Sequence, residues 1–243
     1  MIDSSGSKIG DSVITGNETY NFKILIIGEE GVGKTSLKIR YTEDKFDPSI
    51  SANTFLDFKT KVIQLNQTET AALSIWDTAG SEKFHSIAKS YLNNSQGILL
   101  CFDISNRKSF EELNNFWISF IEEYIEVGKQ KKEKISLVFL VGNKKDLSDK
   151  REISIEEAQR FAETFHGKYY ETSSLTGEGI HLLFQEFTLR MVVLLEQNKL
   201  NYLNPNDTTK LLGDTYYNSD SESKRRTLIY DKDGGHMDTS RCC

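Results

Sequence analysis

The chain has 243 residues, an apolar content of 37% and a net charge of −6, which is enough material for one core of ordinary size plus extra segments. The acidity argues against broad nucleic-acid binding, although a locally positive loop could still bind a polyphosphate. Three cysteines, two of them at the very end, cannot build a disulfide framework, which predicts a reducing cytosolic setting. The first 20 residues lack the features of a secretory signal, and no apolar run approaches the length of a membrane span.

Short apolar runs predict strands that are buried on both faces of a parallel sheet. These runs cover residues 22–27, 73–76, 97–102 and 137–141. Residues 54–65 and 70–77 flank a polar Asn66-Gln67 turn, and this pattern is typical of a hairpin that adds one antiparallel strand.

Longer stretches between these runs have apolar residues at helical spacing. Residues 109–127 carry an apolar, largely aromatic stripe, and residues 155–165 and 180–195 repeat the spacing. Such a stripe could line a ligand, but this periodicity favours a helix that packs on the sheet. The alternation of strands and helices predicts a doubly wound α/β domain.

Composition divides the chain into a polar N-terminal extension, residues 1–19, a domain, residues 20–197, and a tail, residues 198–243. The tail is rich in Asn, Asp, Ser and Thr and has little periodicity, which predicts disorder. Its basic cluster, residues 224–226, lies among acidic residues, so a solvated surface is favoured over membrane steering.

The run Gly28-Glu29-Glu30-Gly31-Val32-Gly33-Lys34-Thr35 joins a predicted strand to an amphipathic stretch, residues 36–41. Glycines let backbone N–H groups converge on a phosphate chain above a helix N-terminus. Lys34 would reach the terminal phosphates, and the Thr35 hydroxyl could ligate magnesium. A glycine-rich turn without chemical meaning is the alternative, which the strand, the spacing and the Lys-Thr pair make less favourable.

Asn143-Lys144-Lys145-Asp146 follows the last apolar run, where an open α/β sheet presents its ligand-binding edge. The Asp146 carboxylate can accept two hydrogen bonds from the N1–H and exocyclic amine of guanine, which adenine cannot supply. The side chains of Asn143 and Lys144 can brace the loop and cover the base. The sequence therefore predicts a guanine nucleotide.

Trp76-Asp77-Thr78-Ala79-Gly80 ends another predicted strand. Asp77 is placed there to hold magnesium through water, and the backbone N–H of Gly80 can meet a γ-phosphate. Four such residues alone are a weak signal, but their position between the other two motifs makes chance a poor explanation.

The order and the residues of these motifs resemble those of the Rab family, within the Ras superfamily of small GTPases, over residues 20–197. Sequences similar to those of Rab proteins occur at residues 73–76, 83–87 and 100–105 and at the C-terminal Cys-Cys pair. The resemblance implies the P-loop small GTPase fold, with a mostly parallel six-stranded sheet, one antiparallel strand and helices on both faces. It also implies a GTP/GDP switch that requires Mg²⁺ and regulates vesicle trafficking.

The resemblance further assigns residues to the nucleotide. Phe46 is expected to pack on guanine, and the backbone N–H of Ser174 to meet guanine O6. Catalysis is expected to involve Lys34, Gly80 and Ser81. The full set of implied nucleotide contacts is Glu30, Gly31, Val32, Gly33, Lys34, Thr35, Ser36, Phe46, Gly80, Asn143, Lys144, Asp146, Leu147, Ser173, Ser174 and Leu175.

Partners are also implied by the resemblance. Effectors would bind two switch regions, residues 46–61 and 77–93, and the cycle would need an exchange factor, a GTPase-activating protein, a GDP-dissociation inhibitor and prenylation enzymes. Cys242 and Cys243 would be geranylgeranylated, since two lipid chains anchor a protein stably where one does not. The expected location is the cytoplasmic face of an intracellular membrane, with cycling through the cytosol.

Three positions depart from the family pattern. Ser81 replaces the glutamine that orients the attacking water, and its short hydroxyl predicts slow hydrolysis. Glu30 would place a carboxylate beside the γ-phosphate unless it points to solvent. The magnesium-binding threonine of the first switch falls at Asn53 when counted without gaps, whereas a shift of one residue gives Thr54.

Two rival functions follow from these residues. Ser81 and Glu30 together suggest a GTP-locked module that recruits effectors but barely hydrolyses GTP. A P-loop ATPase or kinase is the second rival, and Asp146 argues against it.

Overall fold

The computed structural model describes residues 17–49, 57–77, 92, 95–119, 121 and 137–203, and side chains at 17–19 and 198–203 are not described. All of these residues fall in the first of two units of the chain, which ends at Asn204.

The described residues form a sheet of six strands, which are β1 Asn17–Ile27, β2 Asp57–Gln64, β3 Glu69–Asp77, β4 Gly97–Asp103, β5 Leu137–Asn143 and β6 Lys168–Glu171. Their order in the sheet is β2-β3-β1-β4-β5-β6. Only the β2–β3 pair is antiparallel in this sheet. The architecture confirms the predicted mostly parallel sheet with one antiparallel strand.

The helices connect these strands as the apolar spacing predicted. Asn106 and Ser154 cap the helices that begin at Arg107 and Ile155, since each side chain accepts a hydrogen bond from a first-turn backbone N–H. No described helix is long and apolar enough to cross a membrane. The helices are α1 Lys34–Glu43, α2 Arg107–Glu112, α3 Ile155–Thr164 and α4 Ile180–Leu203, with a π-helical turn at Leu113–Trp117 and a 3₁₀ helix at Lys145–Lys150.

Helices cover both faces of the sheet, so each face has its own core. Leu37 of α1 and Phe184 of α4 are fully buried against one face. Trp117 of the π-helical turn and Ala158 of α3 are buried against the other. The aromatic stripe predicted at residues 109–127 therefore serves packing where the structure describes it, which agrees with the core interpretation.

The β2–β3 hairpin turns at Asn66. Its side-chain oxygen accepts hydrogen bonds from the backbone N–H groups of Thr68 and Glu69, both at 2.9 Å. This side chain replaces part of the strand ladder at the turn, which is the usual role of asparagine there.

Both ends of the regular structure extend past the predicted domain limits, residues 20 and 197. β1 begins at Asn17 because Asn17 and Glu18 continue the parallel pairing with β3. α4 continues to Leu203 because neither glycine nor proline interrupts the sequence before Pro205. The division into extension, domain and tail remains a prediction.

Candidate functional site

The three sequence motifs end strands on one edge of the sheet. The phosphate-loop motif follows β1, Asp77 ends β3, and Asn143 ends β5. β1 lies between β3 and β4. The chain after β1 therefore continues to strands on one side of it, and the chain after β3 continues to β4 on the other side. Such a reversal leaves a crevice at the carboxyl ends of parallel strands, which is where open α/β sheets bind ligands.

The N-terminus of α1 is open to a phosphate group. Among the described residues, no side chain caps α1, whereas α2 and α3 each have a side-chain cap. Gly31 and Gly33 have φ values of 78° and 94°, a region that favours glycine. A Cβ atom at Gly33 would also overlap the Asn143 amide nitrogen. The loop thus has the shape and the free helix N–H groups of an anion site.

Lys34 lies across this loop. Its Nζ donates hydrogen bonds to the carbonyl oxygens of Gly28 at 2.8 Å and Glu29 at 2.7 Å, and the residue is 6% exposed. Burial lowers the pKa of Lys34, and the nearby Asp77 carboxylate opposes that shift. A buried ammonium group held by neutral carbonyls is well placed to neutralise phosphate charge.

Thr35 and Asp77 bring together the two oxygens predicted to serve magnesium. The Thr35 hydroxyl donates to Asp77 Oδ2 at 2.5 Å. Asp77 is 1% exposed, and burial raises its pKa while the Thr35 hydrogen bond and the nearby lysines oppose the shift. A nearby cation would stabilise the charged form of such a buried carboxylate.

The residues fit Mg²⁺ rather than a metal held by protein alone. A hydroxyl and a carboxylate are hard oxygen donors, which Mg²⁺ prefers. Across the part of the chain that the structure describes, no cluster of three or more His, Cys, Asp or Glu side chains could hold a metal ion. Any Mg²⁺ at Thr35 and Asp77 would therefore take further ligands from phosphate oxygens and water, as is usual for nucleotide sites.

Asn143 connects the end of β5 to the phosphate loop. Its Nδ2 donates to the carbonyl oxygen of Val32 at 2.9 Å, and its Oδ1 accepts from the hydroxyls of Thr172 and Ser174, both at 3.2 Å. Asn143 is 1% exposed. Its role here is structural, which agrees with the prediction that it braces the loop.

The residues after Asn143 form the base side of the crevice. Lys144 adopts a left-handed conformation, φ 64°, and its Nζ lies 2.7 Å from Asp103 Oδ2 at the end of β4. Asp146 is exposed, and its Oδ1 accepts a hydrogen bond from the Ser173 hydroxyl at 2.5 Å. Leu147 is half-buried in the same 3₁₀ helix. The Asp146 carboxylate is thus oriented by a neighbour and accessible to a base.

The loop after β6 is held from α1. Arg40 Nε donates to the carbonyl oxygen of Ser174 at 2.9 Å, and its Nη2 donates to that of Leu175 at 2.5 Å. Ser173 and Ser174 are buried, whereas Leu175 is 49% exposed. Helix α1 therefore begins at the phosphate loop and also supports the loop predicted to meet guanine O6.

The two glutamates of the phosphate loop point differently. Glu30 is exposed, and Glu29 Oε1 accepts a hydrogen bond from the Trp117 indole N–H at 3.0 Å. Ser36, in the first turn of α1, and Phe46, after the end of α1, are partly buried. The exposure of Glu30 agrees with the interpretation in which it points to solvent.

Several predicted site residues cannot be placed. Asn53, Thr54, Gly80, Ser81, Cys242 and Cys243 lie outside the described residues, as do most of the region 77–93 and part of the region 46–61.

Sequence reasoning missed Lys38, Arg40 and the Glu29–Trp117 contact. Lys38 had a weak signal, because it lies four residues after Lys34 and three before Tyr41 and so shares the buried face of α1 with them. The Arg40 and Trp117 contacts had none, since their partners are 134 and 88 positions away in the sequence.

Comparison with known proteins agrees with this geometry. The model of the Ras family matches residues 23–192. The chain is 38% identical over 170 residues to the Ras-related protein Rab-18 of Lymnaea stagnalis, covering 70% of this chain and 80% of that protein. It is 38% identical over 182 residues to Rab-18-B of Danio rerio, covering 75% and 82%, and 37% identical over 180 residues to Rab-8B of Homo sapiens, covering 74% and 82%. The chain therefore belongs to the Ras family of small GTPases and, within it, to the Rab family.

Proposed function

We propose that this chain is a Mg²⁺-dependent GTP/GDP switch with slow GTP hydrolysis, which acts in vesicle trafficking from an intracellular membrane. The observation that carries the nucleotide assignment is the hydrogen bond from Asn143 to Val32, because it fixes the predicted base site against the predicted phosphate site. Family membership gives the GTP-binding class, and the site residues, the rate and the location are the proposal.

Each side chain has a defined task in this proposal. Lys34 neutralises phosphate charge, Thr35 and Asp77 hold Mg²⁺, and Asp146 selects guanine. Bound Mg²⁺ would supply charge neutralisation on the phosphate oxygens. Because Ser173 donates to one oxygen of Asp146, the carboxylate is oriented before a base arrives.

Slow hydrolysis is proposed from the sequence at Ser81, which lacks the reach of a water-orienting glutamine. Glu30 contributes less to slow hydrolysis than its charge suggests, since its side chain is exposed. A GTP-locked effector-binding module is the alternative that the same two residues favour. Persistent GTP on the purified protein would support that alternative.

Effector binding is proposed at the exposed hairpin and the predicted switch regions. Phe58 is 52% exposed, and its ring stacks on Trp76 with centroids 4.7 Å apart. Phe58 lies within the first predicted switch region, residues 46–61, and Trp76 is half-buried beneath it. The exposed Phe58 ring offers apolar area that a partner could bury. An exchange factor, a GTPase-activating protein and a GDP-dissociation inhibitor complete the proposed set of partners.

Membrane attachment is proposed through geranylgeranyl groups on Cys242 and Cys243, which would place the protein on the cytoplasmic face of an intracellular membrane and let it cycle with the cytosol. Mass spectrometry of the C-terminal peptide from a prenylating host tests this step. Two added lipid masses are expected, and unmodified cysteines would contradict anchoring by this route.

The nucleotide assignment is tested by extracting the nucleotide from the purified full chain and by competition binding. Guanine nucleotide on the protein, and displacement of a labelled GDP analogue by GTP but not ATP, are expected. The Lys34→Ala variant should lose this binding, because it removes the buried phosphate-facing cation. Displacement by ATP with equal efficiency would contradict the proposal and revive a P-loop ATPase.

A further inference from the structure

Lys38 is a buried cation next to the proposed metal site. Its side chain is 0% exposed, and its Nζ lies 2.8 Å from Asp57 Oδ2 and 3.6 Å from Asp77 Oδ2. It also donates to the backbone carbonyl oxygen of Asp57 at 3.2 Å. A lysine is almost never fully buried unless it is paired. The two ionic partners of Lys38 lie on different strands, Asp57 on β2 and Asp77 on β3.

The two carboxylates around Lys38 are in unequal environments. Asp57 is 52% exposed at its side chain, whereas Asp77 is 1% exposed. The hydrogen bond from Lys38 lowers the pKa of Asp57, and partial burial opposes the shift. Asp57 therefore neutralises part of the positive charge of Lys38. The rest of that charge acts on the Asp77 carboxylate at short distance.

A fixed cation and an incoming Mg²⁺ act on the same carboxylate. Two positive charges within a few ångströms repel each other strongly in a buried site, where water screens little. Lys38 must therefore oppose Mg²⁺ at Asp77, and its opposition is smaller when Asp57 holds part of its charge.

We propose that Lys38 is an internal counter-cation that lowers the Mg²⁺ affinity of the nucleotide site, and that Asp57 sets the extent of this effect. The inference rests on the proposed function, in which Thr35 and Asp77 hold Mg²⁺ with GDP or GTP. Asp57 is the first residue of β2, directly after residues 50–56, which include Asn53 and Thr54. Lys38 thus connects the proposed Mg²⁺-binding carboxylate, Asp77, to Asp57 within the first predicted switch region, residues 46–61.

The test measures release of a fluorescent GDP analogue from the full chain at a series of free Mg²⁺ concentrations. The Lys38→Met variant should retain nucleotide at a Mg²⁺ concentration about tenfold lower than wild type, because the repelling charge is gone. The Asp57→Asn variant should need about threefold more Mg²⁺, because its half-exposed, partly screened carboxylate no longer balances Lys38. In the double variant, Asp57→Asn should add nothing to Lys38→Met.

The matched control is Lys168→Met, which removes the same charge from a solvent-exposed ion pair with Glu186. Lys168 begins β6, at the opposite edge of the described sheet from β2 and Asp57. The control should leave the Mg²⁺ dependence unchanged. Should Lys38→Met fail to fold in thermal unfolding with GDP, the opposite shift in Asp57→Asn still tests the proposal.

If Lys38 had only a structural role, both single variants would retain nucleotide less well than wild type at every Mg²⁺ concentration. That result, or an unchanged Mg²⁺ midpoint in both, would overturn the inference while wild type still requires Mg²⁺. Absence of any Mg²⁺ dependence in wild type would overturn the proposed function as well, so the two failures are distinguishable.

Discussion

The side chain of Asn143 donates a 2.9 Å hydrogen bond to the backbone carbonyl oxygen of Val32 and so joins the end of β5 to the phosphate loop. Both residues are 1% exposed. A buried carbonyl loses its partner if Asn143 is shortened, and the cost of an unmade buried hydrogen bond is about 1–3 kcal/mol. One side chain therefore connects the predicted base site to the predicted phosphate site.

The Asn143→Ala variant should release GDP at least about tenfold faster than wild type, because Val32, Thr172 and Ser174 all lose a hydrogen-bonding partner. Release of a fluorescent GDP analogue at fixed Mg²⁺ measures the change. Thr172→Val provides a graded comparison, since it removes only the hydrogen bond from Thr172 to Asn143 and should have a smaller effect. Equal release rates in Asn143→Ala and wild type would contradict this role.

The Asp146→Asn variant should change base preference from guanine to xanthine. An asparagine amide presents one acceptor and one donor, so it clashes with one guanine N–H but can donate to the C2 carbonyl of xanthine. We expect the affinity for GDP to fall by about 100-fold or more, because one guanine N–H then faces an N–H donor instead of a carboxylate acceptor. Competition binding with GDP, XDP and ADP measures this.

Asp149→Asn is the matched control for that change, since Asp149 is an exposed carboxylate in the same 3₁₀ helix. It should leave base preference unaltered. A preference for guanine that survives Asp146→Asn would remove Asp146 from the site.

Glu171 at the end of β6 should contribute a pH-dependent part of the stability. Arg151 donates two hydrogen bonds to its carboxylate, at 2.6 and 2.9 Å, and Tyr169 donates a third at 2.7 Å. Burial acts to raise the pKa of Glu171, but these hydrogen bonds outweigh it and lower the pKa below its usual value. The stabilisation is therefore fully present above the unfolded pKa of about 4.3 and is lost as pH falls through the lower folded pKa.

The Glu171→Gln variant should accordingly lower the free energy of unfolding by about 1–2 kcal/mol near neutral pH, with a smaller difference at about pH 3. Urea unfolding in excess GDP at a series of pH values measures it. Glu186→Gln, at a more exposed pair with Lys168, should have little effect at any pH. A Glu171→Gln deficit that is independent of pH would contradict the charged interaction.

The central strands were predictable because their residues are buried on both faces. β4 is buried along its whole length, so its apolar run stands out in the sequence. β6 was not located, because Lys168–Glu171 is short, lies at the sheet edge and is at most half-buried. A hydrophobic pattern carries little signal where only one face of a short strand packs.

The proposed nucleotide loops follow from the sequence because their chemistry depends on residues that are adjacent in the chain, such as Lys34 and Thr35. The contacts that support them depend on the fold instead. Arg40 reaches the loop after β6, and Lys38 meets Asp57 and Asp77 only because α1 packs beside β2 and β3. No local pattern encodes such distances.

Single-turnover hydrolysis of preloaded GTP with Mg²⁺ tests the proposed slow switch most directly, with the Ser81→Gln variant alongside wild type and the nucleotide content of the purified protein as a reference. We expect slow but measurable conversion to GDP in wild type and conversion about tenfold faster or more in Ser81→Gln, since glutamine can orient the attacking water. Rapid conversion in wild type that Ser81→Gln does not change, or GTP that persists in both proteins, would contradict a slowly cycling switch limited at Ser81.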